Sequence, residues 1–589
     1  GQPSEAVADP EHPRWLGALL AFAYPDRVAR QRRDGGGEYR LANGRAAQFG
    51  EPDALMKHEW LVLADLGSRQ GQREERIYLA ADLEPALFDS VLAEQVGEIE
   101  VLDWDEREVT LVDLQGAVMF PGFTDAHAHL LGIGLRELTL NLEGTGSIAE
   151  LKQRVAAEVA EAGPGAVIYG RGWIETGWPE GRFPNRADLD EVAPDNPVIL
   201  GRADGHAAVV NSLALEQAGI TDDTPDPAGG AIERDENGRA TGILIDNAEN
   251  LVMVLMEMPS EEQRLDALAT GAQVYAAYGW TGIHSMSVAL ENAELMVRLE
   301  DQGRMPIRVY NSITPAGLDG LIQTSIWEVN DAKITTRAVK FYVDGALGSR
   351  GALLKEPYAD QPGTRGLQLI GEDEAKAAYR KALANGIQVT THAIGDEGNT
   401  LVLDWYEEVL DGSGRNPRWR IEHAQVVDPV DIPRFAELGV IASMQPSHAI
   451  GDLHFAPARL GNERLEGAYA WRSLWDADAI IAGGSDAPVE RGDPMIEFYA
   501  AVARTDLKGF QGENWHPEEA LTRAEALKIF TINPAIAAFN ESRMGTVEVG
   551  KKADFTVLDA DIMVIPAAEI PGVDAVMTIV DGEVVYEAR

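Results

Sequence analysis

The stretch Pro121-Gly122-Phe123-Thr124-Asp125-Ala126-His127-Ala128-His129 points to the fold, because an apolar run ends there in two histidines two positions apart. In extended backbone, side chains at positions i and i+2 lie on the same face, so the two imidazoles can converge on one ion. A His-x-His pair alone is modest evidence, since many such pairs are structural. Its meaning depends on the rest of the chain.

Four further apolar runs end in a candidate ligand, and these ligands are Lys340, His392, His423 and Asp486. From about Ala117 onward, short runs rich in Val, Ile and Phe alternate with alanine-rich amphipathic stretches, which is typical of a parallel α/β fold. In a TIM-type barrel the C-terminal ends of the strands share one rim, where catalytic groups gather. We therefore expect these distant side chains to meet at a metal site.

Eight runs are predicted to be barrel strands. They are Ala117–Phe123, Thr281–Met286, Ile307–Ser312, Ala338–Val343, Gln388–Thr391, Trp419–Glu422, Val440–Met444 and Ile480–Gly483. Eight strands fit a (β/α)8 barrel. The gap between the first two is too long for one crossover, so about residues 141–259 are predicted to be a large insertion after strand 1 that lies over the barrel mouth.

Three domains are predicted. The barrel and its insertion occupy residues 110–540. Residues 541–589 contain turn glycines and alternating apolar residues, which predict a small accessory domain resembling a β-sandwich. Residues 1–109 differ in character: residues 26–45 are locally basic and glycine-rich, and strands are predicted at Trp60–Ala64 and Arg76–Ala81.

The composition excludes several classes of function. The 589 residues include 96 acidic and 50 basic side chains, a formal charge of −46, and this negative field repels nucleic acid and anionic lipid. The absence of cysteine excludes thiolate zinc sites and leaves histidine, carboxylate and lysine as ligands. No run is long enough to span a membrane and no signal peptide is recognised, so we expect a cytoplasmic protein with a small-molecule substrate, and a homodimer is one open assembly.

From about residue 110 the chain resembles the amidohydrolase superfamily, specifically its YtcJ-like amidohydrolase-3 branch. Besides the ligand set, the resemblance rests on the motifs Gly170-Arg171-Gly172-Trp173, Phe183–Asp190, Asp204–Ser212, Asp344–Gly351 and Thr531–Ala535. It implies two divalent ions, with zinc favoured. By the same resemblance, His127 and His129 hold the more buried ion, His392 and His423 hold the more exposed ion, Lys340 bridges both, and Asp486 completes the site.

A lysine can bridge two ions only after a chemical change, because a protonated ammonium has no lone pair to donate. Reaction with carbon dioxide gives a lysine carbamate, whose two oxygens can hold two ions roughly 3.5–4 Å apart. The alternative for Lys340 is an ordinary buried lysine paired with Asp344. The resemblance favours the carbamate.

The resemblance implies hydrolysis of a C–N bond in an N-substituted amide or formamide. A metal-bridging hydroxide would attack the carbonyl carbon, and Asp486 would carry the water proton to the departing nitrogen. The same two-metal site could instead act on a lactone, an ester, a cyclic urea or a phosphotriester. A non-catalytic barrel that serves as a binding module, and a mononuclear deaminase-like site, rank lower because all six ligand positions are filled.

Three residues outside the ligand set are candidates for contact with substrate. His206 is the catalytic candidate, expected to grip the substrate carbonyl or its developing oxyanion, although a structural histidine is equally compatible with the sequence. His448 could bind substrate and Trp173 could wall an apolar pocket, while structural roles are the alternatives for both. His284 is expected to pack inside the barrel.

Residues 19–98 resemble part of the C-terminal region of HrpB-type ATP-dependent helicases, chiefly at Ala23–Ala29 and Leu41–Arg45. The chain has neither a Gly-x-x-x-x-Gly-Lys-Ser/Thr phosphate loop nor an Asp-Glu-Ala-His box. No helicase activity is therefore implied, and the sequence leaves the role of residues 1–109 open.

Overall fold

The computed structural model describes residues 21, 27–32, 37–41, 46–50, 52–67, 75–83, 114, 116–203, 205–227, 229–256, 259–411, 413 and 416–588. The chain divides into two compact units, Gly1–Asp113 and Leu114–Arg589. Among the described residues, no helix is both long and apolar enough to cross a membrane.

The first unit contains a closed barrel of five short strands. They are Val28–Gln31, Glu38–Leu41, Ala46–Phe49, Trp60–Gly67 and Glu75–Asp82. The ring of Tyr39 is fully buried inside this barrel, and its hydroxyl donates to the carbonyl oxygen of His58 at 2.8 Å. The two strands predicted here coincide with the last two of the five. Of the helicase-like motifs, residues 23–26 and 42–45 lie outside the described residues.

The second unit is built on eight parallel strands that curl into a nearly closed barrel and follow one another in chain order. The strands are β1 (Phe123–Ala128), β2 (Trp280–Val288), β3 (Arg308–Ile313), β4 (Ile334–Tyr342), β5 (Gln388–Ala393), β6 (Arg420–His423), β7 (Ile441–Met444) and β8 (Ile481–Gly483). A short outer strand, Trp327–Val329, pairs antiparallel with β4. The predicted TIM-type α/β barrel is confirmed.

The prediction for the first strand was wrong in position. The segment predicted as Ala117–Phe123 contains a different strand, Val118–Pro121, and β1 begins only at Phe123. The two are separated at Gly122, where a side chain would clash because a Cβ would lie 2.3 Å from Oγ1 of Thr281. The chain therefore changes sheets at the Pro-Gly pair.

Helices cover the barrel. They are Leu130–Leu138, Glu261–Tyr278, Leu290–Asp301, Leu318–Thr324, Glu372–Ala384, Asp396–Leu410, Ile432–Leu438, Pro446–Asp452, Ala456–Leu460, Trp471–Asp476, Pro494–Ala503, Arg523–Ile529 and Ile532–Ala537. The longest, Glu261–Tyr278, begins with a capping box between Ser260 and Gln263 and ends at Gly279, which has a φ of 98°. The last two helices, Arg523–Ile529 and Ile532–Ala537, are short and are separated at Phe530 and Thr531.

The insertion between β1 and β2 has its own sheet. Its six strands are, in spatial order, Gly230–Arg234, Ala240–Asp246, Ala207–Val210, Val198–Arg202, Ile168–Trp173 and Leu140–Asn141. Three helices, Ile148–Ala162, Arg186–Asp190 and Ser212–Gln217, belong to the same insertion. The His206 ring from this insertion lies 5.3 Å from the His392 ring at the end of β5, so the insertion reaches the C-terminal rim of the barrel.

The C-terminal residues form a small antiparallel sheet. Its strands are, in spatial order, Glu583–Glu587, Ala575–Val580, Phe555–Leu558 and Val118–Pro121. This sheet is tied to the barrel by a buried ion pair in which Arg308 of β3 donates to Asp554 at 2.7 and 2.9 Å. The chain thus enters β1 directly from the accessory sheet.

A buried carboxylate joins the first and last barrel strands. The backbone N–H groups of His127 and Ser485 both donate to Oδ1 of Asp125 at 3.0 Å, and the hydroxyls of Ser485 and Tyr275 donate to Oδ2. Gly484 permits the close approach, since a Cβ there would lie 2.4 Å from the His127 nitrogen. Burial raises the pKa of Asp125 to about 6 against these hydrogen bonds.

We predict that Asp125→Ala destabilises the barrel and weakens its metal site together. Two buried backbone N–H groups would lose their acceptor, and each loss costs about 1–3 kcal/mol. Urea unfolding measures the free energy, with Glu356→Ala as control because Glu356 pairs with Arg365 in an exposed ion pair. An Asp125→Ala protein as stable as the wild type would contradict the closing role.

Candidate metal centre

All six predicted ligands lie at the C-terminal rim of the barrel. His127 lies in β1 and His129 just after it, Lys340 in β4, His392 in β5, His423 at the end of β6, and Asp486 just after β8. One cavity of about 380 Å³ is lined by all six, together with His206. The barrel thereby brings together side chains that are up to 359 positions apart in sequence (486 − 127).

One group of candidate ligand atoms surrounds Oδ1 of Asp486. His129 Nε2 lies 3.0 Å and His127 Nε2 lies 3.3 Å from this oxygen. The other ring nitrogen of His129, Nδ1, lies 3.2 Å from the carbonyl oxygen of Met286, which holds the ring in place. Two imidazole nitrogens and a carboxylate oxygen within 4.8 Å of one another form a donor set suited to a divalent ion.

A second group surrounds Oδ2 of the same carboxylate. His448 Nε2 lies 3.8 Å from this oxygen and His423 Nδ1 lies 4.0 Å from it. The His392 ring is 4.5 Å from the His423 ring, and its Nε2 lies 3.4 Å from the carbonyl oxygen of Gly345. His448, predicted to contact substrate, is therefore close enough to compete for the role of a ligand.

Lys340 lies beneath these groups. It is 1% exposed, and its Nζ forms no hydrogen bond within the described part of the chain. Burial lowers the pKa of Lys340 to about 8, although the charges of Glu422 and Asp486 raise it. Asp344, the alternative partner, instead accepts backbone N–H groups, including those of Ile394 and Gly395. The ordinary lysine–aspartate pair is therefore not formed.

Sequence reasoning overlooked Glu422. Its fully buried carboxylate accepts a hydrogen bond from His127 Nδ1 and pairs with Arg420 Nε at 2.7 Å. Because a carboxylate only accepts, this contact keeps the proton on Nδ1 and leaves the Nε2 lone pair of His127 for a cation. The available signal was a pair of opposite charges two positions apart in a buried strand.

Further partners orient the remaining rings. His423 Nδ1 contacts Oε1 of Gln445 at 2.7 Å, and Arg420 donates to Nδ1 of His284 at 2.9 Å. His284 is buried in the barrel, as predicted. His423 and Asp486 have positive φ angles of 75° and 60°, a conformation that L-residues adopt at a cost and that is concentrated at functional sites.

Burial and charge act in opposite directions on the acidic and basic groups of the site. Burial lowers the pKa values of His392 and His423 well below the ordinary value, and neighbouring rings add to this effect. Burial alone would raise the pKa of Asp486, but His127 and His129 outweigh it and hold that pKa well below the ordinary value. Neutral imidazoles beside an ionised carboxylate are the protonation states that bind a cation.

The other two predicted site residues have different surroundings. His206 faces the ligand cavity and its Nδ1 lies 2.6 Å from Oδ1 of Asp246. Trp173 instead lies fully buried in the core of the insertion, where its indole N–H donates to the Leu200 carbonyl at 2.7 Å and its ring packs against Phe183. The surroundings of Trp173 are those of a structural residue and not of a pocket wall.

Comparisons with known proteins show what this chain is similar to. A model of the amidohydrolase family matches residues 110–586. YtcJ of Bacillus subtilis is 34% identical over 528 residues, covering 88% of this chain and 97% of YtcJ. The N-substituted formamide deformylase of Arthrobacter pascens is 31% identical over 510 residues, covering 83% and 92%. A crystal structure of a metal-dependent hydrolase from Pyrococcus horikoshii covers 87% of this chain and 95% of its own, at 29% identity and a TM-score of 0.63.

The N-terminal resemblance is supported only in part. The ATP-dependent RNA helicase HrpB of Escherichia coli is 35% identical over 96 residues, which is 16% of this chain and 12% of the helicase. So short a match covers a fragment of that protein and transfers no activity.

We predict that Glu422→Gln weakens zinc binding, because a side-chain amide can also present a donor to His127 Nδ1 and so favour the wrong tautomer. Loss of an orienting carboxylate costs about 10- to 100-fold in metal affinity. Competition with a chromogenic chelator measures the dissociation constant. Glu519→Gln is the matched control, since this buried carboxylate binds Ser473 away from the site. Equal affinity in the Glu422→Gln and wild-type proteins would exclude the orienting role.

Proposed function

Because the chain belongs to the amidohydrolase family and is a metal-dependent hydrolase, we propose that it cleaves the C–N bond of an N-substituted amide or formamide. The observation that carries the proposal is a single carboxylate, Asp486, whose two oxygens face separate groups of histidines in one cavity. The choice of bond is supported by the relative from Arthrobacter pascens, whose name specifies N-substituted formamides.

The residues present fit a pair of divalent ions, for which we favour zinc. His127 and His129 would hold one ion and His392 and His423 the other, with Asp486 beside both. Lys340 would contribute as a carbamate, and the buried, unpaired Nζ with a lowered pKa is the environment in which an uncharged amine can react with carbon dioxide.

When bound, such ions supply an activated water and polarise the carbonyl oxygen of the substrate. The chain itself must then move one proton and orient the substrate. Asp486 would accept a proton from the water and return it to the departing nitrogen, a role supported by its contacts with histidines on both of its oxygens. His206 approaches the same cavity from the insertion and would contact the carbonyl oxygen or its developing charge.

The proposed bond is tested by a hydrolysis screen of the zinc-loaded protein. The panel contains N-formyl amines, N-acetyl amines, lactones and aryl esters of matched size, and released amine or acid is quantified. We expect turnover of the amides, with Asp486→Asn retaining most of its zinc while turnover falls by at least about 100-fold, as for loss of a general base. Preferential turnover of lactones would reject the C–N assignment, and full activity of Asp486→Asn would reject the role of that carboxylate.

A separate prediction concerns Lys340. Zinc should restore activity to metal-free protein only when dissolved carbon dioxide is present, because the carbamate must form before the second ion is held. Isotope-labelled bicarbonate should give a carbamate carbon signal in the NMR spectrum that Lys340→Met lacks. Lys333→Met is the matched control, since Lys333 is a partly buried lysine that donates to the Pro306 carbonyl at 2.9 Å. Full reactivation in carbon dioxide-free buffer would exclude the carbamate.

A further inference from the structure

The insertion carries a buried histidine–carboxylate pair at the edge of the metal centre. His206 Nδ1 lies 2.6 Å from Oδ1 of Asp246, whose side chain is 2% exposed. The two residues face each other across neighbouring strands, because the register that pairs Ala207 with Ile245 places them directly opposite. The backbone N–H of Asp246 also donates to the His206 carbonyl oxygen at 3.1 Å. The imidazole is therefore held through both its side chain and its backbone.

The second carboxylate oxygen of Asp246 differs from the first in its hydrogen bonding. Oδ2 is buried and has no hydrogen-bond partner among the residues that the structure describes. An under-satisfied buried carboxylate costs free energy, so a fold selected for stability alone would satisfy or replace it. Asp246 also has a φ of 50°, a left-handed conformation that turns its side chain toward His206 at some cost.

A glycine-rich loop of the barrel makes room for this carboxylate. A Cβ on Gly345 would lie 2.8 Å from both carboxylate oxygens of Asp246, and a Cβ on Gly351 would lie 2.6 Å from Oδ2. Gly345 does not have a positive φ, so its backbone would accept alanine, and the three atoms nearest to the added Cβ all belong to Asp246. The glycines of the Asp344–Gly351 motif thus leave space for the Asp246 carboxylate of the insertion beside the barrel rim.

We propose that Asp246 is the positioning residue for His206, an inference that rests on the proposed hydrolysis. Since a carboxylate can only accept a hydrogen bond, Nδ1 of His206 carries a proton, and the neutral ring then has its lone pair on Nε2. Asp246 acts only through this ring. It fixes which nitrogen faces the cavity and prevents the imidazole from rotating as substrate binds, and the barrel loop holds Asp246 in turn.

Four variants test the contacts of Asp246 with Gly345 and with His206. They are Asp246→Ala, Asp246→Asn, Gly345→Ala and His206→Ala. Asp246→Ala should lower kcat by about 10- to 100-fold, with KM and bound zinc nearly unchanged, as expected when an orienting carboxylate is lost. Asp246→Asn should recover part of that loss, because its amide oxygen can still accept from Nδ1. Gly345→Ala should reproduce the kcat defect by displacing the carboxylate.

Combined variants separate positioning from a merely structural role. The Asp246→Ala/His206→Ala protein should be no slower than His206→Ala alone, because Asp246 has no other target. Gly363→Ala and Glu518→Gln are matched controls: a Cβ at Gly363 meets nothing within 4 Å, and Glu518 contacts His516 in an exposed histidine–carboxylate pair. Both should retain wild-type kinetics.

NMR of protein that carries isotope-labelled histidine measures the tautomer of His206 beside Asp246 without any substrate. The His206 signal, assigned by its absence in His206→Ala, should show a proton on Nδ1 in the wild type and a different tautomer ratio in Asp246→Ala. An unchanged ratio, additive losses in the double variant, or a kcat for Asp246→Ala within about threefold of wild type would overturn the proposal. If no amide in the screen is hydrolysed, the proposed function fails, but the NMR measurement still tests whether Asp246 orients His206. Failure of the proposed function can therefore be distinguished from failure of the positioning proposal.

Discussion

The carboxylate of Asp125 is the contact on which the metal centre depends. It accepts four hydrogen bonds where β1 meets β8, and those two strands carry or precede His127, His129 and Asp486. Backbone hydrogen bonds cross the same seam, from the Asp486 N–H to the His127 carbonyl at 2.6 Å and from the His129 N–H to the Ala487 carbonyl at 2.8 Å. Because ligand candidates lie on both sides of this seam, closing the barrel also brings His127 and His129 close to Asp486.

A second set of buried charges, Arg420 and Glu422, determines which ring nitrogen of His127 carries the proton. Glu422 lies between Arg420 and His127 in a fully buried environment, where both charges would be costly if unpaired. The arginine compensates the carboxylate, and the carboxylate fixes the tautomer of the histidine. Nε2 of His127 therefore carries the lone pair that a cation needs.

The side chains of the site come from two parts of the fold, the barrel and the insertion. The barrel supplies the six candidate ligands, while the insertion supplies His206 and the carboxylate that contacts it. The Gly345–Gly351 loop after β4 lies against that carboxylate, so the barrel and the insertion constrain each other. The candidate ligands therefore come from the barrel, and the proposed substrate contact comes from the insertion.

The sequence by itself determined the α/β barrel and the residues at its strand ends, because short apolar runs that end in polar residues are local features and parallel strands place those ends on one rim. It misplaced the first strand across the Pro121-Gly122 break and left Trp173 open between a pocket wall and structural packing, since neither a change of sheet nor the direction of a buried ring is encoded locally. Only the tertiary structure decided that Glu422 contacts His127, that His448 approaches Asp486, and that Asp246 faces His206. These contacts join residues 38 to 295 positions apart through strand register and barrel closure, and no periodicity along the chain relates them.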